Sequence, residues 1–307
     1  MCRPQFPQRA LETRELMTGH SERQTLVPVD DVELWTSTLG EGPLAVVLCH
    51  GGPGLSDNLG PVAEMIKDLA LVHRYDQRGG GRSPSDGPFT VVRFVDDLEW
   101  LRRAWQHETW VVGGHSWGGW LALLYALRYP HCVSGVVAIS MPPFGDSWRS
   151  DYQTRRRERM SLEDRELFDS VQRRLKEGIP VASEEEERWR FVLWRTEFTD
   201  ASTVPDFRRT PLYDFPANMV VNRALVADMD ARASEGRLLA DLHAITMPAL
   251  FIHGQDDLRP PPLDVVESLP NSHLSMIREA GHLPWLERPQ AVGVSIRDWL
   301  HALVSSS

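Results

Sequence analysis

Residues Val111 to Trp120 read Val-Val-Gly-Gly-His-Ser-Trp-Gly-Gly-Trp, an apolar run passing through a Gly-x-Ser-x-Gly frame, Gly114 to Gly118, into a helical pattern. A strand that turns straight into a helix holds its corner residue in a strained backbone. A side chain on either flanking glycine would then collide with the adjoining elements. The serine at such a corner is lifted above the end of a sheet, which makes Ser116 the candidate nucleophile. A glycine-rich turn without chemistry carries the same letters, so the rest of the chain must supply a base and an acid.

Two later segments supply them, in the order serine, acid, histidine. Ala249 to Gly254 reads as a buried strand with Gln255-Asp256-Asp257 at its carboxyl end, and the strand-like run His273 to Arg278 leads into Ala280-Gly281-His282-Leu283-Pro284. Open parallel sheets gather reactive groups at the carboxyl ends of their strands. Upstream, the apolar run Leu44 to Cys49 enters His50-Gly51-Gly52-Pro53-Gly54, whose glycines let backbone amides turn inward. The amides of Gly52 and Trp117 are the expected oxyanion hole. His50 is expected to order its loop, and His253 to be a packed strand residue.

Taken together, His50-Gly51-Gly52-Pro53-Gly54, Asp76-Gln77-Arg78-Gly79-Gly80-Gly81-Arg82-Ser83 and Gly114-His115-Ser116-Trp117-Gly118-Gly119 resemble the proline iminopeptidase branch of the α/β-hydrolases. The resemblance covers roughly 25–140 and 248–303. It implies an α/β fold with a mostly parallel sheet flanked by helices, a helical lid inserted after the sixth core strand, a Ser-His-Asp triad, and release of an N-terminal residue from a peptide or small amide. The branch's Gly-x-x-Asp spacing, counted from Gly254, selects Asp257 over Asp256 as the acid beside His282. Its chemistry needs no metal and no organic cofactor.

A chain of 307 residues, 42% hydrophobic, can bury one large core. A formal charge of −10 disfavours nucleic acid and acidic membranes as partners and favours a small neutral or cationic substrate, either a small molecule or a short peptide. The three cysteines, Cys2, Cys49 and Cys132, are too few and too scattered for a disulfide framework or a zinc site. No signal peptide and no membrane span are visible, so a cytoplasmic protein is expected, with a flexible segment over 1–22.

The order of elements is alternating. A hairpin is predicted from Gln24–Val29 and Val32–Thr38, a helix over about Leu59–Asp68, strands at Leu71–Tyr75 and Cys132–Ser140, and an amphipathic helix over Val91–Trp105 with Val92, Val95, Leu98, Leu101 and Trp105 on one face. Asp76 and Arg78 are expected to pin loops by charge-assisted hydrogen bonds. Gly79 to Gly81 lack the spacing of a phosphate loop.

The α/β core is thus expected over 23–143 and 237–307, with a cap over 144–236. That cap holds Arg155-Arg156-Arg157, the run Glu184 to Glu187, Trp148, Trp189 and Trp194. The glutamate run suits a solvated helix start. Peptidases of the resembled branch bind the substrate's amino group with acidic lid residues. Glu197 lies near the branch's Trp-Glu pair with its spacing off by two, and no glutamate occurs within 215–222, leaving Asp214 and Asp228 as the nearest acids. Glu197, Asp228 and Trp194 are therefore the candidate substrate-binding residues. Three readings stay open: an aminopeptidase or aminoacyl amidase, an esterase or lactonase of a small acyl metabolite, and a non-enzymatic binding protein on the same fold.

Overall fold

The computed structural model describes residues 14–16, 22–200, 202 and 204–305. The strands are β1 (Arg14–Leu16), β2 (Arg23–Val29), β3 (Val32–Leu39), β4 (Leu44–Cys49), β5 (Ala70–Tyr75), β6 (Trp110–His115), β7 (Val133–Ile139), β8 (Ala249–Gly254) and β9 (Ser272–Ile277). They form one sheet in the order β1-β2-β3-β5-β4-β6-β7-β8-β9. Pairings from β5 to β9 are parallel, and those among β1, β2, β3 and β5 are antiparallel. β6 and β8 are buried at every residue, the pattern of strands covered on both faces.

The helices are α1 (Gly60–Glu64), α2 (Val91–Ala104), α3 (Trp117–Arg128), α4 (Arg149–Glu158), α5 (Leu162–Glu177), α6 (Ser183–Thr196), α7 (Pro211–Asp214), α8 (Met219–Ser234), α9 (Leu238–Asp241), α10 (Leu263–Ser268), α11 (Pro284–Glu287) and α12 (Pro289–Ser305). Helices α4 to α8 all fall between β7 and β8 in the chain.

The sheet is switched at β4. The chain leaves β4 for β5 on one side, then returns to β6 on the other, so the loops leaving β4 and β6 diverge and open a crevice at their carboxyl ends.

Three expectations need correction. Arg14–Leu16, within the segment expected to be flexible, pairs with Gln24–Leu26 as an edge strand; Glu22 is also described, and the rest of that segment lies outside the described residues. The helix expected over Leu59–Asp68 is helical only from Gly60 to Glu64 and continues as turns. On α2, Val92 is 39% exposed, whereas Val91, Phe94, Val95, Leu98 and Leu101 are buried. Two acids share that buried face: Asp97 takes the fully buried Arg78 in a two-armed ion pair at 2.6 Å, and Glu99 holds Arg102, Arg103 and the Tyr125 hydroxyl. A reading of apolar spacing alone misses charged residues that are inside because they are paired.

Candidate active site

Ser116 sits between β6 and α3 with φ 53° and ψ −116°, outside the regions side-chain-bearing residues prefer. The corner is closed on both sides. A Cβ on Gly114 would lie 2.2 Å from the backbone of Gly118, and a Cβ on Gly118 would lie 2.0 Å from the Cys49 carbonyl oxygen, so neither position admits a larger residue. The Ser116 amide donates to the Ile139 carbonyl at 2.8 Å, which ties the corner to the neighbouring strand.

Asp257 follows β8 and His282 follows β9. His282 Nδ1 lies 2.7 Å from Asp257 Oδ2, and both residues are buried. Asp256, by contrast, is half-buried, and its amide donates to the Ala280 carbonyl. Burial would raise the Asp257 carboxyl, but the His282 imidazole, the hydrogen bond it makes and the Arg259 guanidinium together hold it well below the usual carboxylate range. The acid is therefore ionised and fixed on one imidazole nitrogen, leaving Nε2 for a proton. His115, next to Ser116 in the chain, packs its ring 4.6 Å from that of His282, and its Nε2–H donates to the His282 carbonyl at 3.0 Å.

Gly52 has φ 130° and lines the same cavity as Ser116 and Trp117. The amide of Trp117 is the first of α3, so no turn of its own helix takes it. Loop-ordering groups surround these amides. His50 accepts the Gln77 amide on Nε2 at 3.0 Å and donates from Nδ1 to the Gly51 carbonyl, while the Gln77 side chain bridges the His50 carbonyl and the Trp117 indole N–H. Both ring nitrogens of His50 are thus occupied. His253 is buried, with Nε2 3.0 Å from the Arg259 carbonyl. Asp76 accepts the amides of Asp57 and Arg82 and the Arg82 guanidinium, so it pins the turn after β5.

A cavity of about 320 Å³ opens over Ser116. Its walls are mostly apolar, with Trp120, Pro142, Phe144, Trp148, Leu225 and Met229 among them. The polar groups are Tyr152, Arg259, and the pair Arg149 and Asp230, joined by two hydrogen bonds at 2.7 and 2.9 Å. The candidate substrate residues read from the sequence are not in this wall. Trp194 is buried beside Phe198 and Phe207, and its indole N–H donates to the Pro205 carbonyl. Asp228 accepts the first amide of α2, from Val91, and pairs with Arg232, which fastens α8 to α2. Glu197, at the end of α6, is bound on both carboxylate oxygens: Arg156 and Arg259 pair with it and the Tyr152 hydroxyl donates to it. Burial would raise this carboxyl, but Arg259 and Arg156 hold it far below its ordinary range.

The Arg155-Arg156-Arg157 run, which in the sequence is simply a charged stretch, divides its labour. Arg157 pairs with exposed Asp169, whereas Arg155 donates to the carbonyls of Leu258 and Asp257 at 3.0 and 3.2 Å, and Arg159 to that of Asp256 at 2.5 Å. Helix α4 thereby grips the loop that bears the acid. Glu197, Asp257 and His282 bring ligand atoms within 4.8 Å of one another, a spacing that suits a cation. Arg156 and Arg259 already place two positive charges on Glu197. Arg259, Asp230, Arg149 and Tyr152 escaped the sequence reading; Arg259, two residues beyond Asp257, had position as its one available signal.

Comparison with known proteins agrees with this fold. A proline iminopeptidase of Heyndrickxia coagulans is 27% identical over 279 residues, 85% of this chain and 92% of that one. Proline iminopeptidases of Clostridioides difficile and Clostridium botulinum are matched over 91% and 89% of their length, and some other curated relatives over only about a third to two fifths. Among solved structures, the proline iminopeptidase of Mycobacterium smegmatis superposes with a TM-score of 0.65 at 21% identity, covering 92% of this chain and 100% of that one. A thermophilic esterase of Thermogutta terrifontis does so at 0.61 and 24%, covering 95% and 99%. The family model described as alpha/beta hydrolase fold matches residues 45–289, and the chain belongs to that family of hydrolases.

Proposed function

We propose that the protein is a serine hydrolase that transfers an acyl group first to Ser116 and then to water. One observation carries this reading: a strained serine between β6 and α3, with an ionised acid locked on a histidine at the carboxyl ends of β8 and β9, on the same side of the sheet beyond β7. His282 Nε2 takes the Ser116 proton as the hydroxyl attacks the carbonyl, and the amides of Gly52 and Trp117 stabilise the oxyanion. His282 then protonates the leaving group, and water repeats the sequence on the acyl-enzyme. Losing one oxyanion donor of this kind costs about 10²–10³-fold in turnover.

The substrate reading is release of an N-terminal residue from a short peptide or aminoacyl amide, which the relatives named proline iminopeptidase support. An ammonium entering a partly dry cavity needs a carboxylate. Within the cavity wall that carboxylate is Asp230; of the two cations there, Arg149 pairs with it, with Asp146 close by, and Arg259 is spent on Glu197 and Asp257. Glu197 is already occupied by arginines. The second reading, an esterase of uncharged acyl groups, is favoured by the aromatic and aliphatic lining.

Aminoacyl p-nitroanilides of Pro, Ala and Leu, with free and with N-acylated amines, tested beside p-nitrophenyl esters, separate the two. The expected result is hydrolysis that requires the free amine and a KM that rises about tenfold or more in Asp230→Asn. Activity on esters alone, indifferent to the amine, would discard the peptidase reading.

A further inference from the structure

We infer that Glu197 is a positioning residue for the acid–base pair, holding Asp257 and His282 in register from the cap and making no contact with substrate. The inference rests on the Ser116–His282–Asp257 reading above. Glu197 reaches both partners. Its main-chain carbonyl accepts the His282 amide at 2.8 Å, and a Cβ on Gly281 would fall 2.2 Å from that same oxygen, so the His282 loop is seated against it. Its carboxylate anchors Arg259 at 2.7 Å. The amide of Arg259 donates to Asp257 Oδ1 at 3.0 Å and its guanidinium lies 3.4 Å from the same oxygen, while Oδ2 is left for His282. Turning the Asp257 carboxylate would break both contacts.

The Tyr152 ring, with the Arg156 and Arg259 guanidinium carbons 4.5 and 4.3 Å from its centre, packs the fork in place. Its hydroxyl accepts from Arg259 at 2.8 Å and donates to Glu197 at 3.2 Å. Charge also matters here. With Glu197 and Asp257 negative and Arg156 and Arg259 positive, these four charges cancel, Arg155 and Arg159 beside them turn to main-chain carbonyls, and the positive charge that His282 gains in each half-reaction lies within 4.8 Å of both carboxylates. Oε1 accepts from Tyr152, Arg156 and Arg259 and Oε2 from Arg259, and Glu197 is not among the residues lining the cavity over Ser116, so its charge is answered by arginines away from where substrate enters.

The test compares Glu197→Gln, Glu197→Asp and Arg259→Lys with the wild type on an alanyl p-nitroanilide and on p-nitrophenyl butyrate, which has no amine. Glu197→Gln is expected to lower kcat on the order of 10²-fold on both substrates with KM nearly unchanged, and to move the acid limb of the kcat/KM profile to lower pH because a negative charge beside the imidazolium is gone. Glu197→Asp restores part of the rate. Where Glu197→Gln fails to fold, Arg259→Lys answers the same question: it keeps the charge but loses the fork, and kcat falls on both substrates.

A rise in KM confined to the free-amine substrate, with ester kcat and the pH profile untouched, overturns the inference. So does an Arg259→Lys enzyme with wild-type rates. Labelling by a fluorophosphonate separates the two levels. A wild-type protein unlabelled at Ser116 overturns the triad reading and this inference with it. A labelled wild type whose ester rate is indifferent to Glu197 overturns the inference alone.

Discussion

The sheet ends that carry Ser116, Asp257 and His282 differ from helices α4 to α8 above them in what holds each in place. At the sheet ends the constraint is the backbone: strand exits, a positive φ at Ser116, and glycines that the neighbouring main chain will not let grow. In the helices above, arginines supply it. Arg155, Arg156, Arg159 and Arg149 each reach a carbonyl or carboxylate far away in sequence. Backbone constraints leave a local sequence pattern, and long-range ion pairs leave none. This predicts that mutations in the two regions fail differently, the lower set through chemistry at a fixed point and the upper set through anchoring.

Trp194 gives the largest test of that contrast. It joins Phe198 and Phe207 to a buried cluster that includes Ile277, Leu283 and Trp285. Trp194→Ala is expected to cost about 3–5 kcal/mol of stability, measured by denaturant unfolding, with kcat per folded molecule changed by only a few-fold. A selective loss of KM or kcat with stability intact would return Trp194 to the substrate site and blur the distinction.

A smaller effect sharpens it from the lower region. His73 on β5 is enclosed by Thr38, Trp105 and His107, with hydrogen bonds of 2.9 Å to Thr38 and 2.8 Å to His107. Burial, then the charge of His107, push its imidazole down to about 3. The unfolded chain binds this proton near pH 6.5, so the stability it lends is complete above that value and is lost as pH falls towards 3, on the order of 3 kcal/mol by pH 4. Thermal unfolding of the wild type and His73→Gln from pH 7 to 4 is expected to show the steeper decline in the wild type. Equal slopes would mean that His73 is not the group that titrates.

The same contrast explains what was legible. Strands β2 to β9 follow from apolar runs bounded by turn residues, and Ser116, Asp257 and His282 are legible as candidates because the roles proposed for them require fixed offsets from strand ends. Val92 departs from its expected face because the periodicity of α2 admits two stripes, and the buried one also carries Asp97 and Glu99, which find arginine partners inside. Glu197 stands out in the sequence as a candidate for the substrate's amine, but its partners Arg156 and Arg259 lie 41 and 62 residues away. Only folding reveals that its charge is already used. Asp230, two residues past the chosen Asp228, differs from it by facing the cavity, a matter of helical phase on α8.

The most direct measurement is a rapid-mixing experiment with a slow p-nitrophenyl ester, followed by acid quench and peptide mass spectrometry. The account predicts a burst of about one p-nitrophenol per enzyme and an acyl group on the peptide bearing Ser116, both lost in Ser116→Ala, whose turnover falls on the order of 10⁶-fold. Steady release without a burst, no adduct on Ser116, and an undiminished Ser116→Ala enzyme would contradict it.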